Sequence, residues 1–334
     1  MFLVLYNVVY ICNFDVVVEI VVYGWSKIKY TFGVLWITFK FVFCESFVFC
    51  CRSGVAAGGD RISDYSALLM SIGAGTINDS DDSVEVRIPD MVQRCGDLDD
   101  LLKKVYPEIY ADEELPRDYF KDRCCMAPTN VEADVVNDAL FSRLGDGCGR
   151  KIYNSVNFCY DSRFAQNFTP EVLAKMPCTG VAPHVLDLRV GAPVILLRNI
   201  EPPRLCNGTR LVVVDLYEKM VAVRILTGPG CGDVVNIPAM MMKPTDFPIN
   251  FFRVQLPLKR AGCITINKSQ GQTFRIAGVY LKQAPWSHGQ FYVAMSRVGD
   301  PSNLYVFAPG GVSANVVYRE VLMLPGDDRY NVSE

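Results

Sequence analysis

The string Thr265-Ile-Asn-Lys-Ser-Gln-Gly-Gln-Thr273 packs many hydrogen-bond donors into a turn that follows a predicted strand. Lys268 supplies a point charge. Ser269, Gln270, Gln272 and Thr273 can donate to phosphate or sugar oxygens, and Gly271 permits a close approach to the backbone. A phosphate-contacting turn fits this spacing, and so does a polar loop that only caps the next element. A second string, Ser287-His288-Gly-Gln-Phe-Tyr-Val-Ala-Met-Ser-Arg297, predicts a helix over 289–298. Gln290, Ala294 and Arg297 would share one face of it, with Phe291 and Met295 alongside. Arg297, near the helix end, could meet a phosphate brought by another domain, as an arginine finger does. It could also be an arginine paired with an acid, and His288 an ordinary capping or core histidine.

Other chemistries are excluded more firmly. No G-x-x-x-x-G-K-[ST] string occurs. The nearest run, Gly262 to Ser269, has Asn267 at the second glycine position and β-branched residues between, which favour extended backbone over a phosphate nest. No Ser-His-Asp arrangement stands out, nor any strand-ending Asp-Glu pair suited to magnesium. The chain has 2 histidines and 13 cysteines, and Cys50-Cys51 and Cys124-Cys125 lack the two-residue gap of a zinc knuckle, so reduced, buried thiols are expected and no metal. Lys and Arg number 33 against 36 Asp and Glu, a net charge of -3, so any nucleic-acid contact must work through a local patch.

These residues need a scaffold, and 334 residues, 50% of them hydrophobic and 21% charged, leave room for about two globular domains. Residues 1–51 are rich in Val, Phe, Tyr and Ile but broken by Asp15, Glu19, Lys27, Lys29, Lys40 and Glu45. Each such charge costs about 3 kcal/mol near a bilayer centre, so stable membrane association is not expected, attachment through residues 1–51 being the lesser alternative, and the flanks do not make a signal peptide. Buried strands, or residues foreign to the domain behind them, fit better. Residues 97–109 predict a short amphipathic helix capped by Asp97 and ended by Pro107. Residues 124–127 predict a buried strand running into Pro128-Thr129-Asn130, where Thr129 or Asn130 caps a helix carrying Val131, Val135, Val136 and Leu140. Short β-branched runs at 191–197, 210–215, 221–226 and 234–237 predict a small β module. A final α/β portion follows, with strands at 263–266 and 278–281.

In these strings the sequence resembles the PIF-type ATP-dependent DNA helicases of superfamily one, which include helicases carried by Helitron transposons. The resemblance rests on ITINKSQGQTF at 264–274, GVYL at 278–281 and SHGQFYVAMSRV at 287–298. Upstream, ALLMSIGAGT at 67–76, MAPTN at 126–130, PHVLDLRVGAPVILLRNI at 183–200 and LCNGTRL at 205–211 add to it. It implies an α/β fold: a RecA-like second motor domain of the P-loop NTPase type with an inserted, β-rich 2B module. The implied boundaries are an apolar N-terminal segment at 1–60, a linker and remnant at 61–114, motor domain 2A at 115–167 and 251–310, the 2B module at 168–250 and a tail at 311–334.

The resemblance also implies roles. Arg297 would be catalytic, stabilising charge on a transferring γ-phosphoryl group, and Gly271, Gln272 and Arg297 would lie at the nucleotide. Thr129, Asn130, Asn207, Arg210, Thr265, Lys268, Ser269, Gln270 and His288 would lie toward DNA. The family uses ATP and Mg2+, acts on single-stranded or partly duplex DNA, and serves recombination, repair and telomere maintenance in the nucleus. This sequence departs from it: no phosphate-cradling loop precedes residue 60, and residues 256–263 read LPLKRAGC in place of an apolar-aromatic run. The expectation is therefore a truncated helicase without ATPase activity of its own, a first motor domain being supplied elsewhere if at all. A non-catalytic DNA-binding or protein-interaction module is the alternative.

Overall fold

The computed structural model describes residues 6–12, 15–21, 59–78, 83–110, 115, 116, 118–144, 149–159, 168–176, 178, 180–245 and 251–318. The chain divides into two compact units, Met1–Gly59 and Asp60–Glu334. In the first, strands Tyr6–Cys12 (β1) and Asp15–Val21 (β2) form an antiparallel pair with Cys12 opposite Asp15. The rest of the apolar N-terminal stretch lies outside the described residues, and so does the question of its membrane contact. Among the described residues no helix is long and apolar enough to cross a membrane.

The second unit opens with helix Gly59–Ala74 (α1), short strands Glu85–Arg87 (β3) and Gln93–Arg94 (β4), and helices Leu98–Val105 (α2) and Pro107–Tyr110 (α3). Asp97 caps α2 as expected, its carboxylate accepting the Asp100 N–H at 2.7 Å. Pro107 both ends that helix and starts the next, the position where a missing N–H costs nothing. Strand Arg123–Ala127 (β5) then leads into helix Asn130–Arg143 (α4). Every residue of β5 is buried, as befits a strand covered on both faces.

A β-rich insertion follows: Arg150–Asn154 (β6), Val156–Cys159 (β7), helix Pro170–Lys175 (α5), Val185–Arg189 (β8), Pro193–Leu196 (β9), Arg210–Leu216 (β10), Met220–Ile225 (β11), Val234–Pro238 (β12), Met240–Met242 (β13), Phe251–Gln255 (β14) and Leu258–Arg260 (β15). Its main sheet has the order β12-β11-β10-β9-β15, all antiparallel. Leu211, Val213, Val221, Val223, Ile225 and Ile237 meet Leu186, Leu196 and Leu258 in its core. The predicted β-branched runs thus fall on β9 to β12.

The chain returns as Cys263–Thr265 (β16), Ile276–Tyr280 (β17), helix Gln290–Met295 (α6), Leu304–Phe307 (β18) and Val312–Ala314 (β19). Strands β16-β5-β17-β18-β4 form one parallel sheet. Cys125, Ala127, Cys263 and Tyr280 share a core with Leu101, Val105, Val136 and Leu140 of α2 and α4. The alternate residues Cys124, Met126, Ala277, Val279 and Val306 are buried too. Tyr65 of α1 donates its hydroxyl to the Met295 carbonyl of α6 at 2.5 Å. This is the mixed α/β architecture expected of a RecA-like motor domain with a small inserted β module.

Three expectations change. Residues 93–110 are no linker but an edge strand of the motor sheet and the helices beside it. Residues 312–314 pair with β3 rather than trailing away. Helix α4 buries Glu132, Ala133, Val136, Asn137, Leu140 and Phe141, whereas Val131 and Val135 are 72% and 47% exposed. Its apolar residues do not trace a single stripe, because polar Glu132 and Asn137 are drawn inward by backbone partners.

Candidate functional site

In a parallel α/β sheet, loops that follow the carboxyl ends of the strands are the ones free to meet ligands. Here β5 and β16 are neighbours with Thr265 opposite Ala127, so the turn at 128–130 and the turn after Thr265 emerge side by side. Thr129 is the cap of α4: its hydroxyl oxygen accepts the Glu132 N–H at 3.3 Å, and Asn130 beside it is exposed. Thr-x-x-Glu is a capping-box spacing. The Glu132 carboxylate, however, accepts the backbone N–H of Gln283 at 2.6 Å, tying the loop after β17 to the start of α4. Burial raises the pKa of this carboxyl.

After Thr265 the chain makes a 3-10 turn, Ile266–Ser269. Ile266 and Ser269 are fully buried, and the Ser269 hydroxyl donates back to the Ile266 carbonyl at 2.7 Å. Ser269 therefore braces the turn and does not face a ligand, while Asn267, Lys268 and Gln270 remain exposed. Gly271 has φ +74, a left-handed conformation in which a side chain would be strained. Gln272 donates to the Lys268 carbonyl at 3.0 Å, closing the loop.

Arg297 lies beneath this loop, 9% exposed. Its Nη1 donates to the carbonyls of Ser269 and Gln272 at 3.2 and 3.1 Å, Nε to Val293 at 2.9 Å and Nη2 to the Ser296 hydroxyl at 2.8 Å. The two sequence strings are thus one unit, joined by a guanidinium. The guanidinium is thus engaged with acceptors of its own chain. Helix α6 is shorter than predicted and buried on all sides, packed against the 3-10 turn, so it has no ligand-facing stripe.

Lys268 carries no ion pair among the described residues, although Lys259 is bridged to Asp134 at 2.9 Å. The protein around the Lys268 ammonium disfavours its charge, and nearby Lys259 adds to this, so its pKa falls below the usual lysine range despite opposition from Asp134. An exposed lysine without a carboxylate partner among the described residues is available to an anion. Lys259 and Arg260 dock on α4 through Asp134 and Asp138, which is how the LPLKRAGC segment packs.

The other candidates lie elsewhere. His288 stacks on Tyr318 with ring centroids 5.3 Å apart, and its Nδ1 accepts the Tyr318 N–H at 2.9 Å. Burial lowers its pKa, which favours the neutral ring. Asn207 is exposed in a turn of the β module whose Gly208 has φ +94. Arg210 does not face solvent at all: it is 1% exposed and donates to the carbonyls of Phe120 and Arg123, both at 2.7 Å, and Lys121 at 3.2 Å. It clamps the β module to the segment entering β5. Nothing in its turn-like sequence context signalled that.

The described residues do not by themselves present a complete site for ATP and Mg2+. Among the described residues no three His, Cys, Asp or Glu side chains converge to hold a metal. The donors of Arg297 are aimed at carbonyls of its own chain.

Residues 171–216 match the family described as DNA helicase Pif1, 2B domain, inside the expected β module. The ATP-dependent DNA helicase PIF1 of Danio rerio is 38% identical over 138 residues, 40% of this chain and 21% of that protein. The ATP-dependent DNA helicase PIF6 of Trypanosoma brucei brucei is 32% identical over 140 residues, 40% of this chain and 18% of that protein. This part of the chain is homologous to the Pif1 DNA helicases. A crystal structure of Pif1 helicase from Candida albicans covers 78% of this chain with 56% of its own length, at TM-score 0.51 and 22% identity, and shares the fold. The chain spans about a fifth of the length of these two curated Pif1 relatives.

Proposed function

We propose that this chain supplies the second motor domain and 2B module of a Pif1-type ATP-dependent DNA helicase, gripping the backbone of single-stranded or partly duplex DNA through the 265–271 turn. The arrangement that supports this most is the Arg297 clamp, which makes the Lys268 turn and the family's last motif a single rigid piece. A loop so braced can pass a displacement between a bound strand and a nucleotide cleft. Thr129, Asn130, Thr265, Lys268 and Gln270 lie toward DNA at the sheet edge, Asn207 extends the contact onto the β module, and Gly271 and Gln272 lie toward nucleotide. Translocation, unwinding, nuclear location and work in recombination, repair or telomere maintenance belong to the same reading. No phosphate-cradling string occurs in the 334 residues, so this polypeptide alone should hydrolyse ATP at background rate.

Binding of a labelled oligonucleotide, followed by fluorescence anisotropy across a salt series, tests the reading. Lys268→Ala should weaken binding irrespective of base sequence and lower the salt slope by about one. An unaltered slope would remove Lys268 from the interface. Magnesium-dependent ATP turnover by the purified chain, abolished by Arg297→Ala, would refute the incomplete-site reading.

A further inference from the structure

We infer that Trp286 is a stacking platform for a nucleobase, held open at the carboxyl edge of the parallel sheet. This rests on the reading above and adds a ligand contact to it. Trp286 is 66% exposed, a costly state for the largest apolar side chain. It sits in the loop between β17 and α6, and that loop is not slack. Gln290 accepts the Trp286 N–H at 3.2 Å through Oε1 and donates from Nε2 to the Pro128 carbonyl at 3.1 Å. Glu132 holds Gln283 three residues earlier. Gln290 and Glu132 are 2% and 4% exposed, so two buried polar side chains are committed to fixing the base of a loop whose aromatic tip stays in solvent.

The chemistry around the tip selects the partner. Residues 282–289 read KQAPWSHG, with a lysine, and the carboxylate that meets this loop, Glu132, is buried against the Gln283 N–H, so an anion-bearing ligand at the exposed tip is tolerated. The Gln290 bridge sets the loop against the Pro128-Thr129-Asn130 turn, whose neighbour is the turn carrying Lys268. A flat π surface on a loop anchored through Gln283 and Gln290 fits the face of a base, and such stacking tolerates any base. The base could come from a nucleic-acid strand or from a free nucleotide.

The three tryptophans are Trp25, Trp36 and Trp286, so the full chain with Trp25→Phe and Trp36→Phe reports on Trp286 alone. Oligo(dT) should quench its emission and an abasic strand of equal length should not; quenching by ATP instead would support the same platform with the nucleotide as source. In the otherwise native chain, Trp286→Ala should weaken binding of the quenching ligand about tenfold, with Trp286→Phe keeping most of the affinity. Oligonucleotide or ATP bound without quenching, and equally well by Trp286→Ala, overturns the stacking role and leaves the helicase reading standing. No binding of either ligand overturns both.

Discussion

At the scale of single residues, Arg297 ties the candidate site together. A guanidinium whose planar fork is spread over two loop carbonyls and a helix carbonyl cannot be replaced by a lysine, which offers only a point charge. Arg297→Ala should cost roughly 2–4 kcal/mol of stability, because buried carbonyls lose charge-assisted partners. Urea unfolding measures this. Oligonucleotide affinity should fall with it as the Lys268 turn loosens. A variant as stable as the parent would show that the clamp is immaterial to the fold. His288 and Ser269, both polar and both in the expected ligand list, are explained by contacts inside the chain.

Among elements, the seating of α4 on the parallel sheet fixes the backbone at the start of β16. Asn137 exchanges hydrogen bonds with the backbone of Cys263, accepting its N–H at 2.8 Å and donating to its carbonyl at 2.9 Å. The helix comes so close that a Cβ on Gly262 would stand 2.1 Å from Leu140 Cδ2. The glycine that superficially resembles part of a phosphate loop is there for packing. Gly262→Ala should destabilise the fold by about 1–3 kcal/mol, an overpacking effect. The double variant Gly262→Ala/Leu140→Ala should lose less than the sum of the single changes, since the clash disappears with the Leu140 methyl groups. Strict additivity in denaturant midpoints would mean that the two residues do not meet.

For the whole unit from Asp60 onward, the question is what makes the sheet and the β module one body. Arg210 reaches from the first residue of β10 to three carbonyls ahead of and within β5, with its guanidinium 5.0 Å from the Phe274 ring centre. Arg210→Met removes these bonds while keeping apolar bulk. Calorimetry should then resolve two melting transitions where the parent shows one, the module and the sheet having been uncoupled. A single transition at unchanged temperature would assign the coupling to other contacts.

The strands at 123–127, 263–265 and 276–280, the capped helix at 98–105 and the β module were legible in the sequence because local periodicity, caps and β-branched runs act over a few residues, whereas the parallel strands at 93–94 and 304–307 were not. The family resemblance was legible for a related reason: its motifs are short and contiguous. Which polar residues face inward was not. In the sheet β13-β14-β7, Asn157, Arg253 and Gln255 are buried while Val156, Phe158 and Met241 are 63%, 37% and 54% exposed, reversing the usual rule of apolar inside. Arg253 can lie inside because its donors meet Asn157, Ala182 and Leu173, residues 96, 71 and 80 positions away. Arg210 and Arg297 follow the same logic. These arginines are buried where hydrogen-bond acceptors, mostly backbone carbonyls, meet their donors, and for Arg210 and Arg253 those acceptors are brought in from far along the chain only once it has folded.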